Sequence, residues 1–294
     1  MGGKSFKGFL GYGYHRLTAS GGRVAEDIEP EDWEVVRFPT APTGPAPGGT
    51  GFTTTGARTH QGDFKGLVGK TFRFTISGLG GLDCGCNANF YAVRLGAGCD
   101  GSGNNGALCE EFDFFEGNKW AWHSTLHVLN DKGDKSDIGG IATGYGGVLP
   151  NWPGFPSFDG DEFGPQGTMI DTTQDFSVAA SFPRGSDGRL KGMCVELSQA
   201  GKPSMKQPLF MHLYAYNGTD DVPVGDGIAK LESRVTQGIT MLSSMWSAGN
   251  GEMRWLDGSA HPDGPAWMKN FTFDGKCNRE GSCAPYSIKN VMVQ

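Results

Sequence analysis

Apolar and polar residues alternate with a period of two in short runs along the chain. In 71–76, Phe72, Phe74 and Ile76 are separated by Arg73 and Thr75, the pattern of a strand with one buried face. Comparable β-type runs occupy 89–95, 112–115, 176–182 and 209–216, set apart by clusters of Gly, Asn and Asp. Strands spaced in this way predict an all-β sandwich or jelly roll. A helical pattern is confined to 228–244 and is strongest over 228–234. Residues 39–50 (PTAPTGPAPGGT) read as a loop or linker. Residues 131–168, rich in Gly, Pro and Asp and carrying Trp152, Phe155 and Phe158, read as a long ordered surface loop; such loops often carry function. With no internal repeat and no clear domain boundary, we expect an irregular segment 1–50 packed on one β domain spanning 51–294.

Composition narrows the class. The 294 residues include 49 Gly and 16 Pro, and only 19% are charged, which excludes a coiled coil or helical bundle. Nineteen Phe, seven Trp and seven Tyr can fill a large core, which excludes a disordered chain. The net charge of −7 without a basic stripe speaks against nucleic acid and anionic membranes, whereas a neutral polymer such as a glycan carries no such penalty. No run reaches the length of about 18 apolar residues that a bilayer span needs. The first residues, Met1 to Phe6, show no apolar signal region, and Phe6 stands where a myristoylation motif requires Ser or Thr.

Seven cysteines are present, none in a C-x-x-C pair, and no His pair completes a zinc-finger spacing. Sequons at Asn217 and Asn270, taken with the cysteines, lean toward an oxidising compartment. The odd count leaves at least one thiol unpaired or intermolecular. We read the chain as secreted, its leader already removed, and as a monomer.

The chemistry concentrates in Cys109-Glu-Glu-Phe-Asp-Phe-Phe-Glu-Gly-Asn118. On a strand, Glu111 and Asp113 share a face. Glu116 is an odd step from Glu111 and points backwards unless one residue bulges, in which case all three carboxylates share that face. Retaining glycoside hydrolysis needs two carboxyls about 5–5.5 Å apart, a nucleophile and an acid/base. A third acid can share a proton with the nucleophile and hold its rotamer. A merely solvated acidic strand accounts for the spacing equally well. A carboxylate metal site fits less well, because no calcium loop surrounds it.

The motif Glu-x-Asp-x-x-Glu-x-Asn, opened by a cysteine, resembles the catalytic motif of the family 7 glycoside hydrolases, the fungal-type cellobiohydrolases and endoglucanases. Other stretches agree in order: Gly56-Ala-Arg58, Leu82-Asp-Cys-Gly-Cys-Asn-Ala-Asn-Phe-Tyr-Ala-Val93, Thr125-Leu-His127, Asp171-Thr-Thr173, Met245-Trp246, Trp255-Leu-Asp257 and Arg279-Glu-Gly-Ser-Cys283. Together they cover roughly 51–294 with gaps. The resemblance implies a concanavalin-like jelly-roll sandwich of two antiparallel sheets with long loops and at most a few short helices. It implies Glu111 as nucleophile, Glu116 as general acid/base, Asp113 orienting Glu111, and His127 on the leaving-group side. Asn87, Tyr91 and Asp100 would touch the sugars before the cleaved bond. Trp246 and Trp255 would be stacking platforms, and Arg58 and Arg279 hydrogen-bond donors to sugar hydroxyls. Trp120, Trp122, Trp152 and Trp267 keep a core reading, although Trp152 could flank the cleft. By the same correspondence Cys84–Cys283 and Cys99–Cys109 are disulfides. Cys86–Cys277 is plausible beside the first pair, leaving Cys194 as the free thiol.

The implied activity is a retaining endo-β-glucanase of the cellulase type, acting on β-1,4-glucan without a cofactor and with a mildly acidic optimum. Alternatives are a non-catalytic glycan-binding module, or an enzyme of the same fold acting on mixed-linkage glucan, chitosan or a uronan, the last as a lyase. His123 and His127 lack the helix and third ligand that a metal site needs. Departures from the family are specific. Gly98 replaces a tyrosine, Phe115 and Gly117 replace Trp and Ala, and 1–50 matches nothing in the family. The chain is short of the processive members whose loops roof a tunnel, so an open cleft and internal chain cleavage are expected.

Overall fold

A computed structural model describes residues 15–16, 36–37, 66–94, 110–129, 135–140, 161–210, 215–216, 221–222, 227–247, 254–257, 283–284 and 286–294. In chain order the strands are β1 (His15–Arg16), β2 (Val36–Arg37), β3 (Thr71–Ser77), β4 (Cys86–Arg94), β5 (Glu111–Gly117), β6 (Trp122–Leu129), β7 (Lys135–Gly140) and β8 (Phe163–Gly164). There follow β9 (Ile170–Asp171), β10 (Phe176–Ser181), β11 (Gly192–Ser198), β12 (Met205–Phe210), β13 (Ala215–Tyr216), β14 (Asp221–Val222), β15 (Ile239–Ser247) and β16 (Ser287–Val293). Two α-helices are described, α1 (Gly227–Gln237) and α2 (Arg254–Asp257), besides a short 3-10 turn over Leu79–Gly81.

Among the described residues the strands form an eight-stranded sheet in the order β1-β15-β4-β5-β6-β7-β13-β14 and a six-stranded sheet in the order β12-β11-β10-β3-β16-β2. Neighbours in both are antiparallel, and the short β8 and β9 form a parallel pair. This is the all-β, antiparallel jelly-roll architecture that the alternation predicts.

The inner faces meet through aromatic rings. In β3 the buried Phe72, Phe74 and Ile76 alternate with half-buried polar residues. Facing them from the larger sheet are Ala88, Phe90 and Ala92 of β4 and Phe112 and Phe114 of β5. Phe74 meets Phe90 edge-on with centroids 4.6 Å apart, and Phe114 meets Phe182 edge-on at 6.2 Å. Such tilted pairs add to the area they bury. Helix α1 buries Leu231 and Val235, one turn apart, against this core.

Four sequence expectations are corrected. The helical pattern over 228–244 divides. α1 stops at Gln237, Gly238 takes φ 137° while its N–H caps the Arg234 carbonyl at 2.8 Å, and β15 begins at Ile239. The run 209–216 also divides, because β12 belongs to the six-stranded sheet and β13 to the eight-stranded one. The loop expected over 131–168 contains β7, which pairs residue by residue with β6, so tertiary pairing overrides its poor strand composition.

The fourth correction concerns the cysteines. Cys283 bonds Cys86 rather than Cys84, which also excludes Cys86–Cys277. Cys283 lies opposite Leu82, and Gly85 turns the chain with φ 80°, so Cys86 comes to a Cα separation of 5.7 Å from Cys283. Cys84 is itself disulfide-bonded, to a cysteine outside the described residues. Cys194 is a free thiol, as expected. Cys99 and Cys109 lie outside the described residues.

Candidate active site

Strand β5 is central in the larger sheet, and one extra residue distorts it. Against β4, Phe90 pairs with Phe115 and Tyr91 with Asp113. Against β6, Asp113 pairs with Thr125 and Glu116 with His123. Both registers skip one residue at Phe114–Phe115, which defines a single bulge. Phe112, Phe114 and Phe115 all join the hydrophobic core. The bulge therefore restores Glu116 to the face of Glu111 and Asp113, opposite the aromatic core.

The flanking strands complete that face by simple alternation. Ala88, Phe90 and Ala92 of β4 enter the core, which leaves Asn87, Asn89 and Tyr91 outward. Trp122 and Leu126 of β6 enter it, which leaves His123, Thr125 and His127 outward. Three strands thus present three polar side chains each. Glu111, Asp113 and Glu116 are only 6%, 2% and 8% exposed. Burial of this depth removes the alternative of a solvated acidic strand.

Glu116 is held by amides. Its Oε1 accepts from Asn87 Nδ2 at 2.9 Å and from Asn89 Nδ2 at 3.0 Å. Asn87 Oδ1 accepts the Gly117 N–H at 3.0 Å, so one side chain fixes both the acid and the backbone that follows it. Oε1 is doubly engaged, and His123 Nδ1 lies 3.7 Å from Oε2. His123 Nδ1 is also hydrogen-bonded to Thr125 Oγ1 at 2.9 Å.

Asp113 is held differently. His127 Nε2 lies 2.9 Å from Asp113 Oδ2. Burial, reinforced by the charge of Glu116, pushes the Asp113 carboxyl up to about 6, and the hydrogen bond from His127 works the other way. Burial thus drives the Asp113 carboxyl toward its protonated form.

Two of the departures from the family motif, Phe115 and Gly117, lie against each other. A Cβ on Gly117 would fall 2.6 Å from Cζ of the Phe115 ring and 2.8 Å from the Ala121 carbonyl oxygen. The ring and the missing methyl group are complementary.

Of the expected site residues, the structure brings together Glu111, Asp113, Glu116, His127, Asn87 and Tyr91. Trp246 lies on β15, its backbone opposite Asn87, and Trp255 lies on α2. Arg58, Asp100 and Arg279 lie outside the described residues. Asn89 and His123 were missed, although the period of two from Asn87 and from His127 passes through both. Also missed were buried Glu110, bonded by Arg234 Nε of α1 at 3.0 Å, and buried Asp257. Among the described residues no three His, Cys, Asp or Glu side chains are placed to hold a metal ion together.

Fold and site define a class, a jelly-roll sandwich with a bulged, carboxylate-bearing strand at the centre of one sheet. No family model matches the chain. Endoglucanase 1 of Pyricularia oryzae is 25% identical over 251 residues, 68% of this chain and 58% of that protein. The chain therefore spans less than two thirds of that relative's length. Among solved structures, an endocellulase EGI double mutant of Humicola insolens superposes with a TM-score of 0.52 at 19% identity, covering 77% of this chain and 67% of that one. A GH7 family cellobiohydrolase from Daphnia pulex gives a TM-score of 0.51 at 16% identity, covering 77% and 71%. The chain is similar in fold to a GH7 family cellobiohydrolase and, distantly, in sequence to an endoglucanase.

Proposed function

We propose that this chain is a retaining, endo-acting glycoside hydrolase that cleaves β-1,4-linked glucan in an open cleft and works outside the cell as a monomer. The observation that carries this is the bulge at Phe114–Phe115, which gathers three buried carboxyls on one polar face between two asparagines and two histidines. The Pyricularia oryzae relative supports the choice of an endoglucanase by its name.

Glu116 protonates the glycosidic oxygen through Oε2 while Glu111 attacks the anomeric carbon, and a covalent glycosyl-enzyme forms. Water then attacks that carbon as Glu116 takes its proton, so the configuration is retained. Asp113, hydrogen-bonded to His127 and holding its proton up to about pH 6, can stand beside Glu111 without adding a second full charge. Residues 51–294 form the catalytic unit, and Asn87 and Tyr91 contact the sugars preceding the cleaved bond.

Glu111→Gln and Glu116→Gln tested on a panel of β-glucans, chitosan and uronans check the proposal. Each variant should lose turnover by about a hundred-fold or more while folding normally, and the first-formed product should carry the β anomer by NMR. Wild-type hydrolysis by either variant, or an inverted product, overturns the assignment of roles. Ends absorbing in the ultraviolet would mark a lyase, and binding without release of reducing ends a lectin-like module.

A further inference from the structure

Behind the carboxylate face lies a buried polar network that the hydrolytic steps do not use. Asp257, the last residue of α2, is fully buried. Its Oδ2 accepts the Gly85 N–H at 2.9 Å and its Oδ1 accepts from Asn118 Nδ2 at 2.7 Å. Asn118 exhausts its amide: Nδ2 also donates to the Cys86 carbonyl at 3.1 Å, and Oδ1 accepts the N–H groups of Trp120 at 2.9 Å and Ala121 at 3.1 Å. Gly85 and Cys86 directly precede Asn87, and Asn118 directly follows Gly117. Asn87 is the side chain that binds both Gly117 N–H and Glu116. One carboxylate therefore joins the start of β4, the turn after β5 and the helix bearing Trp255.

A buried carboxyl is an expensive way to join three segments. Burial pushes Asp257 up to about 7, and Asp83, itself paired with Lys119 at 2.9 Å, adds to the shift. An apolar residue would leave two N–H donors unmet, and a neutral amide could accept only one of them. The Asp257 carboxyl presents one oxygen to each.

We propose that Asp257, acting through Asn118, is a positioning residue for Glu116: it sets the depth of the Asn87 amide that holds Glu116 Oε1. This deepens the hydrolase assignment above and rests on Glu116 being the acid/base. The groups facing Glu116 are Asn87 and Asn89 of β4, Asp113 of its own strand and His123 of β6.

Asp257→Asn keeps the shape but sets an NH₂ group against one of the two donors. The expected result is a fall in kcat of about ten- to a hundred-fold with KM on soluble β-glucan little changed. Independently of activity, the Gly117 amide should exchange faster with solvent. If only the Gly85 amide exchanges faster, with Gly117 protection and kcat as in the wild type, the proposal is overturned. Should the variant not fold, the wild-type amides of Gly85, Gly117 and Ala121 should exchange with a common opening free energy, and unrelated values would overturn it equally. A wild-type protein that hydrolyses no β-glucan would refute the hydrolase assignment, while Gly117 exchange would still decide the link.

Discussion

Replacing Asp113 by asparagine should make the protein more stable at alkaline pH while impairing it as an enzyme. The side chain is 2% exposed, and its carboxyl is carried from 3.8 to about 6 by burial and by Glu116. The native state therefore keeps a proton that the unfolded chain releases. Stability from this group is fully present below about pH 4, the unfolded value, and is lost as pH rises through about 6. Above that range the ionised native state bears a cost of about 3 kcal/mol. Asparagine is never charged and still offers His127 Nε2 an acceptor. In urea titrations followed by tryptophan fluorescence, Asp113→Asn should exceed wild type by about 3 kcal/mol at pH 8 and match it to about 1 kcal/mol at pH 4. Its kcat should fall by about ten-fold or more. A stability difference independent of pH, or a variant weaker than wild type at pH 8, would refute the assignment of the strain to this carboxyl.

Two further substitutions test how the site is supported. Phe90→Ala removes a ring that touches Phe72, Phe74 and Phe114; it should cost about 3–5 kcal/mol in the same urea assay. Arg234→Ala leaves Glu110, 2% exposed, as an unpaired buried charge next to Glu111. A loss of about 3 kcal/mol is expected, with much of it recovered in the Arg234→Ala/Glu110→Gln double variant.

What could be read from the sequence follows the strength of each local pattern. β3 was legible because Phe72, Phe74 and Ile76 alternate cleanly with polar residues. β6 was not, because Ser124 occupies a core-facing position, where it accepts from Trp122 Nε1 and donates to the Phe114 carbonyl, both at 2.9 Å. β7 (KSDIGG) has the composition of a loop and becomes a strand only by pairing with β6. Cysteine connectivity was beyond reach, since seven thiols allow many pairings and the turn at Gly85 selects one. The carboxylate face was half visible: spacing gave Glu111 and Asp113 one side, and Glu116 could join them only through a bulge. Asp257 was noted only within a matching stretch, since burial of an acid leaves no mark in composition.

The bulge also explains why altered residues in the motif need not erode the site. A strand that must turn a side chain around within three residues has to bury two consecutive residues, here Phe114 and Phe115. The second ring lies beneath the strand at the point where it resumes, and only a residue without Cβ fits above it. Phe115 and Gly117 therefore pack against each other, and the Ala121 carbonyl, 2.8 Å from where a Cβ would fall, calls for glycine at 117 as well. The backbone they shape delivers the Gly117 N–H to Asn87 and, through Asn87, a donor to Glu116. The bulge and the two residues packed at it thus set the backbone path that leaves the third carboxyl on the same face as the other two.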